Sequence, residues 1–192
     1  GNINNFTAAN ATSSPVTATI TVIAKTGTCS GPSSTFTVTV NPTPLVSNTF
    51  TSPTYCNGAS GAGVNFTSNV AGATYSWTSS NDVGFGTSGT GNIPAYTATN
   101  PSTAVRTTTV SVTASANGCP GTAKTFTVSV NPTPNSIATP SSQIKCSGIA
   151  IATIALSTSA TPSSSTTYTW TRDNTAAVTG IAANGSGNIS GT

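Results

Sequence analysis

Thr125-Phe126-Thr127-Val128-Ser129-Val130-Asn131-Pro132-Thr133-Pro134 restates, 90 positions later, Thr35-Phe36-Thr37-Val38-Thr39-Val40-Asn41-Pro42-Thr43-Pro44. In both stretches apolar residues alternate with hydroxylated ones until two prolines end the pattern. Period-two alternation sends every second side chain to one face, the signature of a half-buried strand. Thr suits the other face, because its branched Cβ packs on a pleated surface while its hydroxyl meets water. Upstream of each lies a second alternating run, Thr17-Ala18-Thr19-Ile20-Thr21-Val22-Ile23 and Thr107-Thr108-Thr109-Val110-Ser111-Val112-Thr113. A glycine-containing turn separates the runs, Thr26-Gly27-Thr28-Cys29 in one copy and Asn117-Gly118-Cys119 in the other. Each pair therefore reads as a β-hairpin with one face buried and the other lined by Thr.

Two further strands are expected at Val64-Asn65-Phe66-Thr67 and Tyr75-Ser76-Trp77-Thr78, the second returning as Tyr168-Thr169-Trp170-Thr171. No window shows helical spacing with caps. Short strands punctuated by Gly, Asn and Pro predict an all-β protein, an immunoglobulin-like antiparallel sandwich of about seven strands in roughly 90–100 residues. Phe66, Trp77, Val110, Val112, Phe126, Val128 and Trp170 are the expected core. For the two Trp residues, stacking on carbohydrate is the alternative to core packing.

The period extends beyond the hairpins. Residues 1–44 match residues 91–134 at 21 of 44 positions without a gap, and Gly-Asn-Ile opens at Gly1, Gly91 and Gly187. A fixed period of this size marks an array of similar domains. The expected division is residues 1–44 as the final strands of one repeat, 45–134 as a complete repeat, and 135–192 as the opening strands of the next. Asn41-Pro42-Thr43-Pro44 and Asn131-Pro132-Thr133-Pro134 fall between copies. Paired prolines bias the backbone to polyproline II and leave few ladder donors, so both read as short semi-rigid connectors.

Composition removes many functions. The 192 residues hold five Lys and Arg, two acids and no His, against roughly 25 % charged residues in a soluble globular domain. Threonine, with 41 residues, takes the place of charge. Ser/Thr-rich chains are often disordered, but the strand-period alternation argues for packed structure. Lys25, Arg106, Lys124, Lys145 and Arg172 are scattered singly, whereas a nucleic-acid binder clusters them. No apolar run approaches the roughly 18 residues of a membrane-spanning helix. Asp82 and Asp173 lie about one repeat apart, so no carboxylate pair is available for acid–base work, and a Ser or Cys nucleophile has no His to activate it. Clustered carboxylates for calcium and Cys-x-x-Cys or His ligands for zinc are missing. Gly84-Phe85-Gly86 and Gly89-Thr90-Gly91 read as loops, since a phosphate cradle requires a strand-to-helix context. Neither an enzyme nor a cofactor is expected.

Cys29 returns as Cys119 and Cys56 as Cys146. Two cysteines per period in a small β domain fit disulfides in an oxidising compartment. Strict repetition disfavours joining Cys29 to Cys119 and Cys56 to Cys146. Cys29–Cys56 with Cys119–Cys146 remains, as does Cys56–Cys119 within one domain. If Cys56 lies in the first turn and Cys119 in the last hairpin, a sandwich places them at opposite ends. Each cysteine would then bond across a junction, to a partner elsewhere in a longer chain or in a neighbouring one.

Gly91-Asn92-Ile93-Pro94-Ala95-Tyr96-Thr97-Ala98-Thr99-Asn100, Asn117-Gly118-Cys119-Pro120-Gly121-Thr122 and the run from Thr125 to Pro134 resemble the PKD-like immunoglobulin-type repeats of giant surface proteins of Bacteroidota. Tyr55-Cys56-Asn57-Gly58 matches the usual opening of such a repeat. The third copy departs from it, with Cys146-Ser147-Gly148 and a longer loop at Thr161-Pro162-Ser163-Ser164-Ser165. The resemblance implies tandem PKD-like repeats of about 90 residues that serve as stalks of secreted adhesins on the cell surface.

Two functions follow as expectations. The first is a structural repeat of an extracellular filament, whose partners are neighbouring repeats of the same or an identical chain, head to tail. The alternative is an adhesion module that binds surface glycan or a protein through loops such as Asn81-Asp82-Val83-Gly84-Phe85. Junction, turns and core recur while the loop after Trp changes length, which favours the structural repeat. The partial repeats at 1–44 and 135–192 are expected to be completed by flanking sequence or by another chain.

Overall fold

The computed structural model describes residues 3–161 and 166–190, and every regular element in them is a strand. The lengthened loop at residues 162–165 and the terminal residues 1–2 and 191–192 lie outside the described residues. The alternating runs of the first segment form β1 (Val16–Thr26) and β2 (Cys29–Val40), an antiparallel hairpin in register Val16↔Val40 and Ile20↔Phe36.

The central segment carries β3 (Thr54–Cys56), β4 (Ser60–Gly61), β5 (Thr74–Ser79), β6 (Ser88–Thr90), β7 (Tyr96–Thr97), β8 (Arg106–Ala116), β9 (Cys119–Pro120) and β10 (Lys124–Asn131). The principal sheet runs β3-β10-β8-β5-β6, with β9 folded back on β8. Opposite it lie β4 and β7, extended by the single bridges Val46↔Ser68 and Val64↔Ile93. Alternation along β8 and β10 drives Val110, Val112, Ala114, Phe126, Val128 and Val130 inward, where they meet Val46, Phe66, Ile93 and Ala98 from the other layer. Trp77 is 5 % exposed and pairs with Val112 across β5 and β8. The all-β sandwich is thus the architecture that the alternation predicts.

Several details differ from the sequence reading. The sandwich is not wholly antiparallel, because β3 runs parallel to β10, with Cys56 opposite Asn131. Residues 64–67 form no continuous ladder and are held by isolated bridges. Ser88-Gly89-Thr90 is not loop but β6, paired to β5 in the register Trp77↔Gly89. Glycine is required there because the indole lies flat on the backbone: an added Cβ would come within 2.7 Å of Trp77 Cε2.

The third segment repeats these pairings in part. β11 (Ile137–Thr139) pairs with β12 (Ala155–Ser157), and β13 (Thr169–Thr171) with β14 (Asn184–Ser186). Trp170 lies opposite Gly185 as Trp77 lies opposite Gly89, and Ile154↔Ile189 echoes Val64↔Ile93. Trp170, however, is only half-buried. The β1–β2 hairpin departs further from expectation, since neither of its faces is buried: Val22 is 50 % and Phe36 43 % exposed, against 0 % for Val112 and 7 % for Phe126 at the equivalent positions. Sequence placed these side chains on a core face, but among the described residues no second layer lies over it.

Candidate functional site at the segment junction

Among the described residues no group of three or more His, Cys, Asp or Glu is placed to hold a metal ion. Asp82 is occupied within its own loop, accepting from the amides of Gly84 and Gly86 at 2.8 Å each, and these bonds hold its carboxyl below the usual carboxylate range. In the same loop Val83 is fully buried, and Phe85 packs edge-on against Trp77 and Tyr96. The loop singled out as a candidate binding surface is therefore anchored in the core. Burial, reinforced by neighbouring Tyr55, pushes the Tyr96 hydroxyl up to about 12.

The most constructed region is the join between the first and central segments. Pro42 and Pro44 are fully buried. Asn41 Nδ2 donates to Asn117 O at 3.0 Å, tying the connector to the β8–β9 turn. Cys119 Sγ is 4.0 Å from that same oxygen. Gly121 leaves room for the connector, because a Cβ there would collide with the Pro44 carbonyl. Buried prolines, the Asn41 hydrogen bond and the absence of a side chain at Gly121 together seat residues 41–44 on the central domain.

A second latch closes the far end of the central domain. Asn57 N donates to Asn131 O at 3.0 Å, and Asn57 Nδ2 to Thr133 Oγ1 at 2.9 Å. Asn57 Oδ1 accepts from the amide of Asn100 at 2.7 Å. The buried Asn100 side chain donates to Ala104 O and Val130 O, both at 2.7 Å, and accepts from the amide and hydroxyl of Ser102. Asn10 makes the same set of bonds to Ser14 O, Val40 O and Thr12 in the first segment. The Asn10 and Asn100 caps escaped the sequence reading. Their signal was the shared Asn followed two positions later by Thr or Ser.

All four candidate cysteines carry free thiols; Cys29, Cys56 and Cys146 are exposed and Cys119 is partly so. Cys56 sits where β3 meets the end of β10, and Cys119 where β9 meets the end of β8 beside the opposite connector. The structure separates them by the length of β10, so a Cys56–Cys119 bond within one domain does not form. Pro132 is half-buried and Pro134 exposed. Together with Cys56, Val105, Ala160 and Thr161 they line a cleft of about 400 Å³.

Residues 53–134 match a PKD-like domain. No curated protein matches the chain. The match spans the principal sheet, the Cys56 end and the Asn131–Pro134 connector, and so covers the central domain nearly whole. PKD-like domains are structural or adhesion-type modules, generally non-catalytic and common in extracellular proteins. No helix among the described residues is long and apolar enough to cross a membrane.

Proposed function

We propose that the chain is a section of an extracellular stalk, in which PKD-like domains in tandem set reach and stiffness while recognition happens elsewhere. The observation that carries this reading is the seated connector. Burying Pro42 and Pro44 and bonding Asn41 to the neighbouring turn restricts the angle between segments, which a spacer needs and an independent binding module does not. The Asn81–Phe85 region supports the same reading, since its apolar residues are spent on the core. Neighbouring repeats, in one long chain or in separate chains, are the partners this role requires, and the stalks of secreted surface proteins of Bacteroidota are the setting that the sequence resemblance suggests. Replacing Pro42 and Pro44 with Gly tests it. Small-angle scattering should show a broader distribution of segment separations with the central domain still folded. An unchanged distribution would overturn the spacer reading, and saturable binding of a surface glycan by the central domain would favour the adhesion module instead.

A further inference from the structure

We infer that Asn117-Gly118, at the tip of the β8–β9 turn, is a site of spontaneous deamidation, and that the isoaspartate formed there unlatches residues 41–44 from the central domain. The modification is independent of the spacer reading, with which it shares only the connector.

Three Asn-Gly pairs occur in the chain, at Asn57, Asn117 and Asn184. Deamidation at such a pair joins two groups, the side-chain carbonyl carbon of Asn and the backbone nitrogen of the residue after it. Glycine favours the step because no Cβ crowds the closing ring and its backbone turns freely. The three pairs are alike in sequence and unlike in the fold.

At Asn57 both reacting groups are tied. Its Nδ2 donates to Thr133 Oγ1 at 2.9 Å and its Oδ1 accepts from the Asn100 amide at 2.7 Å, while Gly58 N donates to Ala98 O at 2.8 Å. Asn184 is held in β14, where Gly185 is in register with Trp170 and lies under its ring. Asn117 has neither restraint. Ala116 and Cys119 pair across the turn, so Asn117 and Gly118 are its two central residues, with φ of 51° and 78°. Both are exposed, and an added Cβ at Gly118 would meet nothing within 4 Å. Among the described residues no hydrogen bond engages the Asn117 side-chain amide or the Gly118 nitrogen. Asn117 is bound through its backbone oxygen, which accepts from Asn41 Nδ2 at 3.0 Å and lies 4.0 Å from Cys119 Sγ.

Water is the only co-reactant. The Gly118 nitrogen gives its proton to solvent base and bonds to Asn117 Cγ, and the side-chain nitrogen leaves as ammonia, closing a succinimide. Water then opens the ring. Breaking the Cγ–N bond leaves an aspartate on a normal backbone. Breaking the bond from the α-carbonyl carbon to nitrogen leaves isoaspartate, whose chain runs through Cγ and is one methylene longer. The turn no longer fits the Ala116↔Cys119 register. The oxygen that accepted from Asn41 now belongs to a carboxylate off the main chain, so the tie between connector and turn is lost.

The test holds the reduced 192-residue chain in mildly alkaline buffer, which favours loss of the amide proton. Peptide mapping uses fragmentation that separates aspartate from isoaspartate. The Asn117 peptide should convert about tenfold or more faster than the Asn57 and Asn184 peptides, which must first break native hydrogen bonds. As isoaspartate accumulates, small-angle scattering should show a broader distribution of segment separations. Two variants separate the causes. Asn117→Gly keeps the positive φ and the backbone oxygen but has no side-chain carbonyl, so it should age without broadening. Asn117→Asp adds the charge on a normal backbone and should start as compact as the parent. Comparable conversion at all three pairs, or an unconverted Asn117, would overturn the inference. So would a fixed distribution in isoaspartate-rich chain, equal broadening of aged Asn117→Gly, or an Asn117→Asp chain broadened from the start. None of these outcomes decides the spacer reading, because replacing Pro42 and Pro44 tests connector stiffness separately.

Discussion

Gly121 provides the sharpest test of how the connector is seated. Its amide donates to Ala114 O at 2.8 Å, which fixes the turn, and an added Cβ would collide with the Pro44 carbonyl oxygen while lying 3.3 Å from Ala114 O. Neither neighbour is a flexible side chain. Pro44 is fully buried and the connector is anchored by Asn41, so relief requires lifting the connector from the domain and breaking the 3.0 Å bond to Asn117 O. Overpacking of this kind costs about 1–3 kcal/mol, which in a domain of this size lowers the melting temperature by about 10 °C. Gly31 occupies the same place in β2, where the added Cβ meets Ala24 O at an ordinary 3.4 Å. Gly31→Ala should therefore stay within about 0.5 kcal/mol of the parent. Calorimetric melts of both variants, dilute and reduced, decide the matter. Equal melting temperatures for the two would show that Pro44 does not press on Gly121 and would refute the seated connector.

Asn100→Ala should cost about 3 kcal/mol, since it leaves the Ala104 and Val130 carbonyls without their donor in a buried site; Asn10→Ala, at a more exposed copy of the same cap, should cost less in a parallel denaturant titration. Stability should be flat between about pH 5 and 9, because no His and few carboxylates titrate there. Asp82 is held below its ordinary value of 3.8 by the Gly84 and Gly86 amides, so its contribution is complete above that value and disappears as pH falls through the lower folded-state value. Asp82→Asn should accordingly melt below the parent at neutral pH and converge with it in acid. Tyr96 works in the opposite sense: raised to about 12 by burial, it supports the fold below its ordinary 10.0 and withdraws that support as pH rises toward 12, a loss that Tyr96→Phe should not show.

The sandwich was legible because alternation is a local property. Thr107 to Thr113 and Thr125 to Val130 each declare which side chains face inward, and β8 and β10 obey them along their lengths. Parallel pairing of β3 with β10 was not legible, since three residues such as Thr54-Tyr55-Cys56 have no period to read. Gly89 was misread for a related reason. A Gly between Ser and Thr signals a loop in isolation, and only the Trp77 ring lying on it shows why a strand needs that residue there. The junction was half-legible: two prolines announced a connector, but its burial depends on a turn 76 residues away, from Asn41 to Asn117. Pro42 and Pro132 share one sequence context and differ in burial because, among the described residues, a turn lies over the first and none over the second.

That contrast bears on how an almost uncharged chain orders its backbone. Ion pairs are unavailable in number, so the ordering falls to hydroxyls and amides. Thr17 and Thr39 share a hydrogen bond at 2.8 Å, Thr107 and Ser129 one at 2.9 Å, and the Asn caps close each hairpin. Cross-strand pairs of this kind contribute roughly 0.2–1 kcal/mol each. Unlike surface ion pairs, neutral hydrogen bonds are not screened by salt. The geometry they impose is therefore set by shape, the flat glycine under each Trp and the small glycine beside the first connector. The proposed stalk should on this basis keep its stiffness across changes of salt and moderate pH, and its most sensitive points should be the few glycines that admit a neighbour's backbone or ring.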